Sequence, residues 1–169
     1  AVAGAYPEMM PSIRPLEAPA DYPDDILGRA GWHIQDFSSA ITADTWGSVH
    51  ASAMTGLTAA HLVLEGERAA YALCRPPGHH AYAERAGGFC YLNNSALAAE
   101  VLRGKHAKVA VLDIDVHHGN GTQSIFYQRN DVLTLSIHGD PKNYYPFFYG
   151  YAEQRGADAG EGFNVNLPV

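Results

Sequence analysis

The sequence predicts an α/β fold built on a parallel sheet with helices on both faces. Two observations carry this reading. Apolar runs of strand length alternate with longer stretches of helical period. In addition, two loops dense in His, Asp and Gly follow predicted strands, the end at which parallel sheets hold their ligands. A chain of 169 residues with 47% hydrophobic and 17% charged content can bury one ordinary core. It reads as a single domain over 1–169, with the α/β core in 45–169 and no internal repeat.

The elements follow in order. Pro7, Pro11, Pro15, Pro19 and Pro23 recur every four residues, so 1–30 reads as an extended, loop-like surface segment. Residues 31–46 are ambiguous, with a short helix near Trp32 to Ala40. A helix is predicted from Ser48 to Glu65, with Val49, Met54, Leu57, Ala60, His61 and Leu64 near one face and Gly66 as its stop. Ala69–Cys74 reads as a buried strand ending in the turn Arg75-Pro76-Pro77-Gly78-His79-His80. Asn93-Asn94 caps a helix from Ser95 to Arg103, which closes at Gly104. Lys108–Asp113 is the strongest strand signal. Gly119-Asn120-Gly121 opens a short helix to about Gln128, and Val132–Ile137 is the next strand. A loop rich in Pro and aromatics spans 139–162 before a final strand over 163–169. A parallel domain seldom finishes on an uncovered strand, and the chain lacks an initiator Met. The fold therefore reads as truncated, a piece of a longer protein.

Charge and composition bound the function. Eleven Lys and Arg against 18 Asp and Glu give a net charge of −7, which argues against nucleic acid and favours a cationic partner. No apolar run reaches membrane-spanning length, and no secretory signal is legible. Two cysteines point to a reducing, cytoplasmic setting. Nine histidines, nearly as many as all Lys and Arg, are the first sign of chemistry.

That chemistry concentrates in Pro77-Gly78-His79-His80 and in Asp113-Ile114-Asp115-Val116-His117-His118-Gly119-Asn120. Strand alternation in the second motif puts Asp113, Asp115 and His117 on one side. Two carboxylates and an imidazole with no Lys to neutralise them suit a divalent cation, and oxygen with nitrogen favours Zn²⁺ over Ca²⁺ or Mg²⁺. A lone Asp-x-Asp or His-His is often structural. Both at successive strand ends, each beside glycines, are hard to explain that way.

Three motifs in order then resemble the histone deacetylase superfamily: Arg75–Ala81, Gly87–Asn94 and Asp113–Thr122. The resemblance runs from about Trp46 to Val169. Gly139-Asp140-Pro141, Tyr145-Pro146-Phe147-Phe148, and Asn120 where other members have Asp are most similar to the bacterial acetylpolyamine amidohydrolases and histone deacetylase-like amidohydrolases. The resemblance implies an arginase-deacetylase type of sheet and zinc-dependent hydrolysis of a small N-acetylated amine to acetate and free amine. Protein acetyl-lysine deacetylation is the alternative within the family. A non-catalytic truncated binding module is the alternative outside it.

Carried over residue by residue, Asp115 and His117 match zinc ligands. His80 matches the general base and acid, His79 its charged or orienting partner, and Asp113 the carboxylate that holds His79. Gly88 matches a carbonyl that meets the substrate amide, and Phe89 and Tyr145 the channel walls. A structural K⁺ is implied at the carbonyls of Asp113, Asp115, His117 and Ile137 with the Ser136 hydroxyl. A second, weaker K⁺ site is implied at the carbonyls of Phe126, Arg129 and Val132. Asn120 supplies a dipole and no charge, so His80 is expected to be less basic than in members with Asp there.

The family's third zinc ligand, another Asp, and its oxyanion-stabilising Tyr have no counterpart after His138, and Glu153, Asp158 and Glu161 do not match. The chain alone is expected to bind zinc weakly and to lack turnover. His33, His50, His61, His106 and His138 read as structural or surface residues, and Cys90 as a buried, inert thiol. Tyr144, Phe147, Phe148, Tyr149 and Tyr151 suit loop packing, a hydrophobic rim or the contact of a homodimer. Asp21, Asp24 and Asp25 read as solvated charge, with attraction of a cationic amine as the alternative.

Overall fold

The computed structural model describes Ser39 and residues 42–169. The expectations for 1–30, for the helix near Trp32 and for His33 lie outside the described residues. Helix α1 runs Thr45–Leu64, α2 Asn94–Arg103 and α3 Asn120–Phe126; the strands are β1 Val109–Asp113, β2 Val132–His138 and β3 Asn164–Pro168. The strands form a parallel sheet in the order β1-β2-β3, in a register that sets Asp113 opposite Ser136 and His138 opposite Pro168. Among the described residues, no helix is long and apolar enough to cross a membrane.

Alternation sorts the sheet's side chains. Val109, Val111 and Val132 meet Ala96 and Ala99 of α2 and Phe126 of α3 in one apolar core. Toward the carboxyl ends of the strands, the same face turns polar: Thr134, Ser136, His138, Asn164 and Asn166 are all buried. The opposite face stays open at Leu112, Ile137 and Leu167, which are 62%, 41% and 49% exposed.

Two expectations need correction. Helix α1 buries Val49, Ser52, Ala53, Gly56 and Ala60, while Met54 is 47% exposed and His61 lies on the solvent side. The i, i+3, i+4, i+7 row starting from Val49 is made of small residues, and these let α1 lie close along α2. Size misled the periodicity. Ala69–Cys74 is not a buried strand: Tyr71 is 88% and Leu73 77% exposed. A cleft of about 700 Å³ separates Ala70, Ala72 and Cys74 from Leu112 and Ile114 on the β1 side. A strand exists only where a partner takes its N–H and C=O groups, and none of the described residues pairs with this segment across that gap.

The start of α2 ties the helices to the site. Asn93 Oδ1 accepts from Ala96 N at 3.0 Å as the helix cap, while its Nδ2 donates to the Ala81 carbonyl and to Thr122 Oγ1 at 3.1 and 3.0 Å. One buried amide thus joins α2, the histidine loop and α3. Asn93→Ala removes the cap and strands two buried acceptors, so urea denaturation should give a loss of about 2–4 kcal/mol. Asn93→Asp keeps the cap acceptor but turns a buried carboxylate oxygen toward the Ala81 carbonyl, so it should not recover the loss.

Candidate active site

The site grows from two loops that cross at the strand ends. Beyond Asp113 the chain leaves the sheet through two linked turns in which Asp113 Oδ1 accepts from Asp115 N at 3.1 Å and Asp115 Oδ1 from His117 N at 2.8 Å. These turns continue the strand's alternation without a ladder. Ile114 and Val116 project outward, and Asp113, Asp115 and His117 stay together.

His79 and His80 arrive from the other loop with ring centroids 4.0 Å apart. His79 Nδ1 donates to Asp113 Oδ2 at 2.7 Å. His80 Nδ1 meets Asn120 Oδ1 at 2.7 Å, and Asn120 Nδ2 donates to the Tyr82 hydroxyl at 3.0 Å. Since the Asn120 oxygen is the acceptor, His80 Nδ1 carries the proton. Nε2 is then the nitrogen left to take up another.

Electrostatics follow burial. Burial, then the neighbouring His79 and His117, push the His80 imidazole down to about 4, against the Asn120 hydrogen bond and Asp115, which raise it. Desolvation thus outweighs the Asn120 dipole in making His80 a weak base. Asp113 is pushed up by burial, but the hydrogen bond and charge of His79 prevail and hold it below the usual carboxylate range. Burial lifts the Cys90 thiol to about 12, and the residue is fully enclosed, in keeping with an inert thiol.

The walls stand around this pair. The Tyr145 ring lies edge-on to His80 at 4.9 Å and to His117 at 6.2 Å. Gly87–Cys90 forms a tight reversal closed by Gly87 N to Cys90 O and Cys90 N to Gly87 O at 3.0 and 2.9 Å. Gly88 and Phe89 at its tip have φ of 55° and 63°. A Cβ at Gly88 would lie 2.5 Å from His80 Cδ2, so only glycine lets this turn press against the imidazole. Phe89 holds the same left-handed conformation at a steric cost, with its ring 58% exposed.

Asp115 and His117 lie side by side, with Oδ1 to Nδ1 at 3.3 Å and both side chains about half exposed. One oxygen and one nitrogen donor suit a zinc-type ion, though one short of the usual three protein ligands. Among the described residues, no group of three or more His, Cys, Asp or Glu is arranged to hold a metal. Asp158 is engaged by Gln128 Nε2 at 2.8 Å, and Glu153 and Glu161 are exposed. For the implied monovalent ion, Asp113 and Ser136 are register partners at the strand ends, with Ile137 next along β2. The second set lies at the end of α3 and the start of β2, where the Phe126 carbonyl already accepts from Arg129 N at 2.9 Å and Val132 is fully buried.

Residues 16–169 match the histone deacetylase domain family model. The chain belongs to this family. It is 56% identical over 144 residues to the acetylpolyamine amidohydrolase of Burkholderia pseudomallei, covering 85% of this chain and 42% of the relative. It is 50% identical to acetylpolyamine amidohydrolase 1 of Pseudomonas aeruginosa, over 92% of this chain and 45% of that protein. The crystal structure of acetylpolyamine aminohydrolase from Burkholderia pseudomallei superposes with a TM-score of 0.82 at 57% identity, over 85% of this chain and 42% of that one. This deacetylase-family chain therefore spans less than half the length of these relatives.

Sequence reasoning missed the polar support beneath the site. Gln123 Oε1 accepts from Asn164 Nδ2 and Asn166 Nδ2 at 2.9 and 2.8 Å, and Gln154 Oε1 accepts from Gly150 N at 2.7 Å. The available signal was Asn164 and Asn166 at alternate positions of an otherwise apolar strand. Burial pushes the His118 imidazole down to about 3, followed by its neighbour His138, against the pull of Asp113. Because His80 and His118 are both lowered in the folded chain, the unfolded chain binds more protons below about pH 6.5. Stability should be level above pH 7 and fall as pH drops from 6.5 through 4, at up to about 2.5 kcal/mol per pH unit. Urea midpoints across pH 8 to 4 measure this; a midpoint unchanged between 7 and 5 contradicts it.

Proposed function

We propose that the protein carrying this chain hydrolyses the amide of a small N-acetylated amine of the acetylpolyamine type, giving acetate and the free amine. The observation that carries the reading is the paired imidazoles, each fixed through Nδ1, opposite the Asp115–His117 donor pair. The relatives named acetylpolyamine amidohydrolases favour this substrate class, and a net charge of −7 suits a cationic polyamine. The two free cysteines fit a cytoplasmic setting.

On this reading Asp115 and His117 supply two ligands to a zinc ion, which when bound polarises an amide carbonyl and acidifies water. His80 Nε2 accepts the proton of the attacking water and returns it to the leaving amine. Asp113 orients His79 and balances its charge beside His80. The Gly88 carbonyl receives the substrate N–H, and Phe89 and Tyr145 flank the acyl-amine chain. The Asp113, Asp115, His117 and Ile137 carbonyls with Ser136 hold a structural K⁺, and the carbonyls of Phe126, Arg129 and Val132 hold a second, weaker one. The 169-residue chain alone, with two zinc ligands, binds zinc weakly and does not turn over. The exposed aromatic rim at Phe147 and Phe148 fits a homodimer contact of the whole protein.

The test compares acetylputrescine with an acetyl-lysine peptide, using protein of full natural length before and after zinc removal. The expected result is zinc-dependent hydrolysis that favours acetylputrescine; preference for the peptide overturns the substrate assignment. His80→Ala should lower kcat by about 10²–10⁴-fold, the usual worth of a positioned acid–base. Asn120→Asp gives His80 an anionic partner and should move the acidic limb of the pH–rate profile upward. An unmoved limb contradicts the role given to that pair.

A further inference from the structure

Among the described residues, His138 is a buried histidine beside the site to which the reaction assigns no task, as it assigns none to its neighbour His118. His138 ends β2, and its ring is 1% exposed. Both ring nitrogens are engaged across the floor of the site. Nε2 lies 2.8 Å from the Gly150 carbonyl, and Nδ1 lies 2.8 Å from Ser136 Oγ. A carbonyl can only accept, so Nε2 carries the proton. Nδ1 is then a bare acceptor, and the Ser136 hydroxyl donates to it.

Residues 139–150 leave the sheet just after His138 and return to it at Gly150, carrying Tyr145 at their middle. Most bonds within the loop hold it to itself: Asn143 N and Tyr144 N donate to the Asp140 carbonyl, and Phe147 N to the Tyr144 carbonyl. The bonds from its ends to the floor below are Gly139 N to the Val116 carbonyl at 2.9 Å, Asp140 N to the Val169 carbonyl at 3.1 Å, Gly150 N to Gln154 Oε1 at 2.7 Å, and the His138–Gly150 bond, which is the tether on the Gly150 carbonyl. The return point admits no side chain. Gly150 has φ of 101°, and a Cβ there would lie 2.7 Å from His138 Nε2 and 2.8 Å from His118 Cγ. His118 backs the arrangement, with its ring centroid 4.7 Å from that of His138.

We propose that His138 is a positioning residue for the Tyr145 wall: by donating from Nε2 to Gly150 it clamps the returning end of the 139–150 loop. The tyrosine ring is thereby held edge-on to His80 and His117. The kinetic part of this inference rests on the proposed amidohydrolase reading; the structural part does not. A loosened wall weakens ground-state and transition-state binding alike, which raises KM and spares kcat. The other nitrogen does separate work, since a Ser136 proton committed to Nδ1 leaves the hydroxyl oxygen to present only lone pairs.

Two variants separate the arms, because a Gln amide reaches the Nε2 position and an Asn amide reaches only Nδ1. Amide hydrogen exchange of segment 139–150, on protein of full natural length, should be about tenfold faster in His138→Asn, the worth of one lost hydrogen bond, and near wild type in His138→Gln. In the same protein, KM for acetylputrescine should rise about tenfold in His138→Asn with kcat within about twofold, and return with His138→Gln. Equal exchange in both variants and wild type, or a loss confined to kcat, overturns the proposal. A wild type without amidohydrolase activity but with the exchange pattern intact sinks the reaction and leaves the clamp standing. Should neither variant fold, nitrogen-15 NMR of the wild-type imidazole decides: a protonated Nε2 in slow exchange supports the clamp, and a protonated Nδ1 overturns it.

Discussion

The site depends on a crossed pairing between two loops. His79 and His80 are neighbours in sequence, yet each commits its Nδ1 to a different side chain of the opposite loop: Asp113 at the tip of β1 and Asn120 at the start of α3. Two adjacent imidazoles left in water would rotate independently. Fixed at one nitrogen each, they lie 4.0 Å apart and leave Nε2 of His80 as the free basic position. The partners differ in kind. A carboxylate stabilises positive charge on His79, whereas a neutral amide leaves burial to govern His80. One imidazole therefore faces an anionic partner and the other a neutral one.

A second layer holds the first in place. On the inner face of the sheet the side chains change from apolar to polar along the strands. Val132 lies in the hydrocarbon core, while Ser136 and His138, farther along the same strand, lie in a hydrogen-bonded floor. Gln123, Gln154, Asn164 and Asn166 satisfy one another there and reach the backbone at Tyr151 and Gln154. Buried amides are costly unless paired, so such a network has few alternative arrangements. It thus carries the precision of the sheet to loops with no regular structure of their own. The strained turn at Phe89 and the Tyr145 loop both rest on this floor or on the histidines above it. The molecule accepts unfavourable backbone where the Gly88–Phe89 turn meets the paired histidines.

The placement of side chains within short motifs was legible. Gly78-His79-His80 and Asp113-x-Asp115-x-His117 each lie within a few residues, so local geometry alone brings their donors together. The cap at Asn93, the strands at 109–113 and 132–138 and the inert Cys90 were readable for the same reason. Ala69–Cys74 was misread because apolar composition is a property of a segment, whereas a strand is a property of a pair. The buried face of α1 was misread because the close approach of α2 selects small side chains, and the sequence pattern was weighed by size. His138 looked like a spare histidine since its acceptor at Gly150 is twelve residues away, beyond an irregular loop.

By itself, the sequence determined which groups are available: imidazoles and carboxylates at strand ends, glycines where the chain must turn tightly, and a parallel α/β order of elements. These follow from bonding and sterics over a few residues, and no partner is needed to express them. Only the tertiary structure decided which nitrogen of each histidine is spent and which is free, which polar side chains lie under the site, and which wall stands against His80. Those outcomes depend on contacts between residues far apart in the chain and on the water excluded when they meet. No local pattern encodes either.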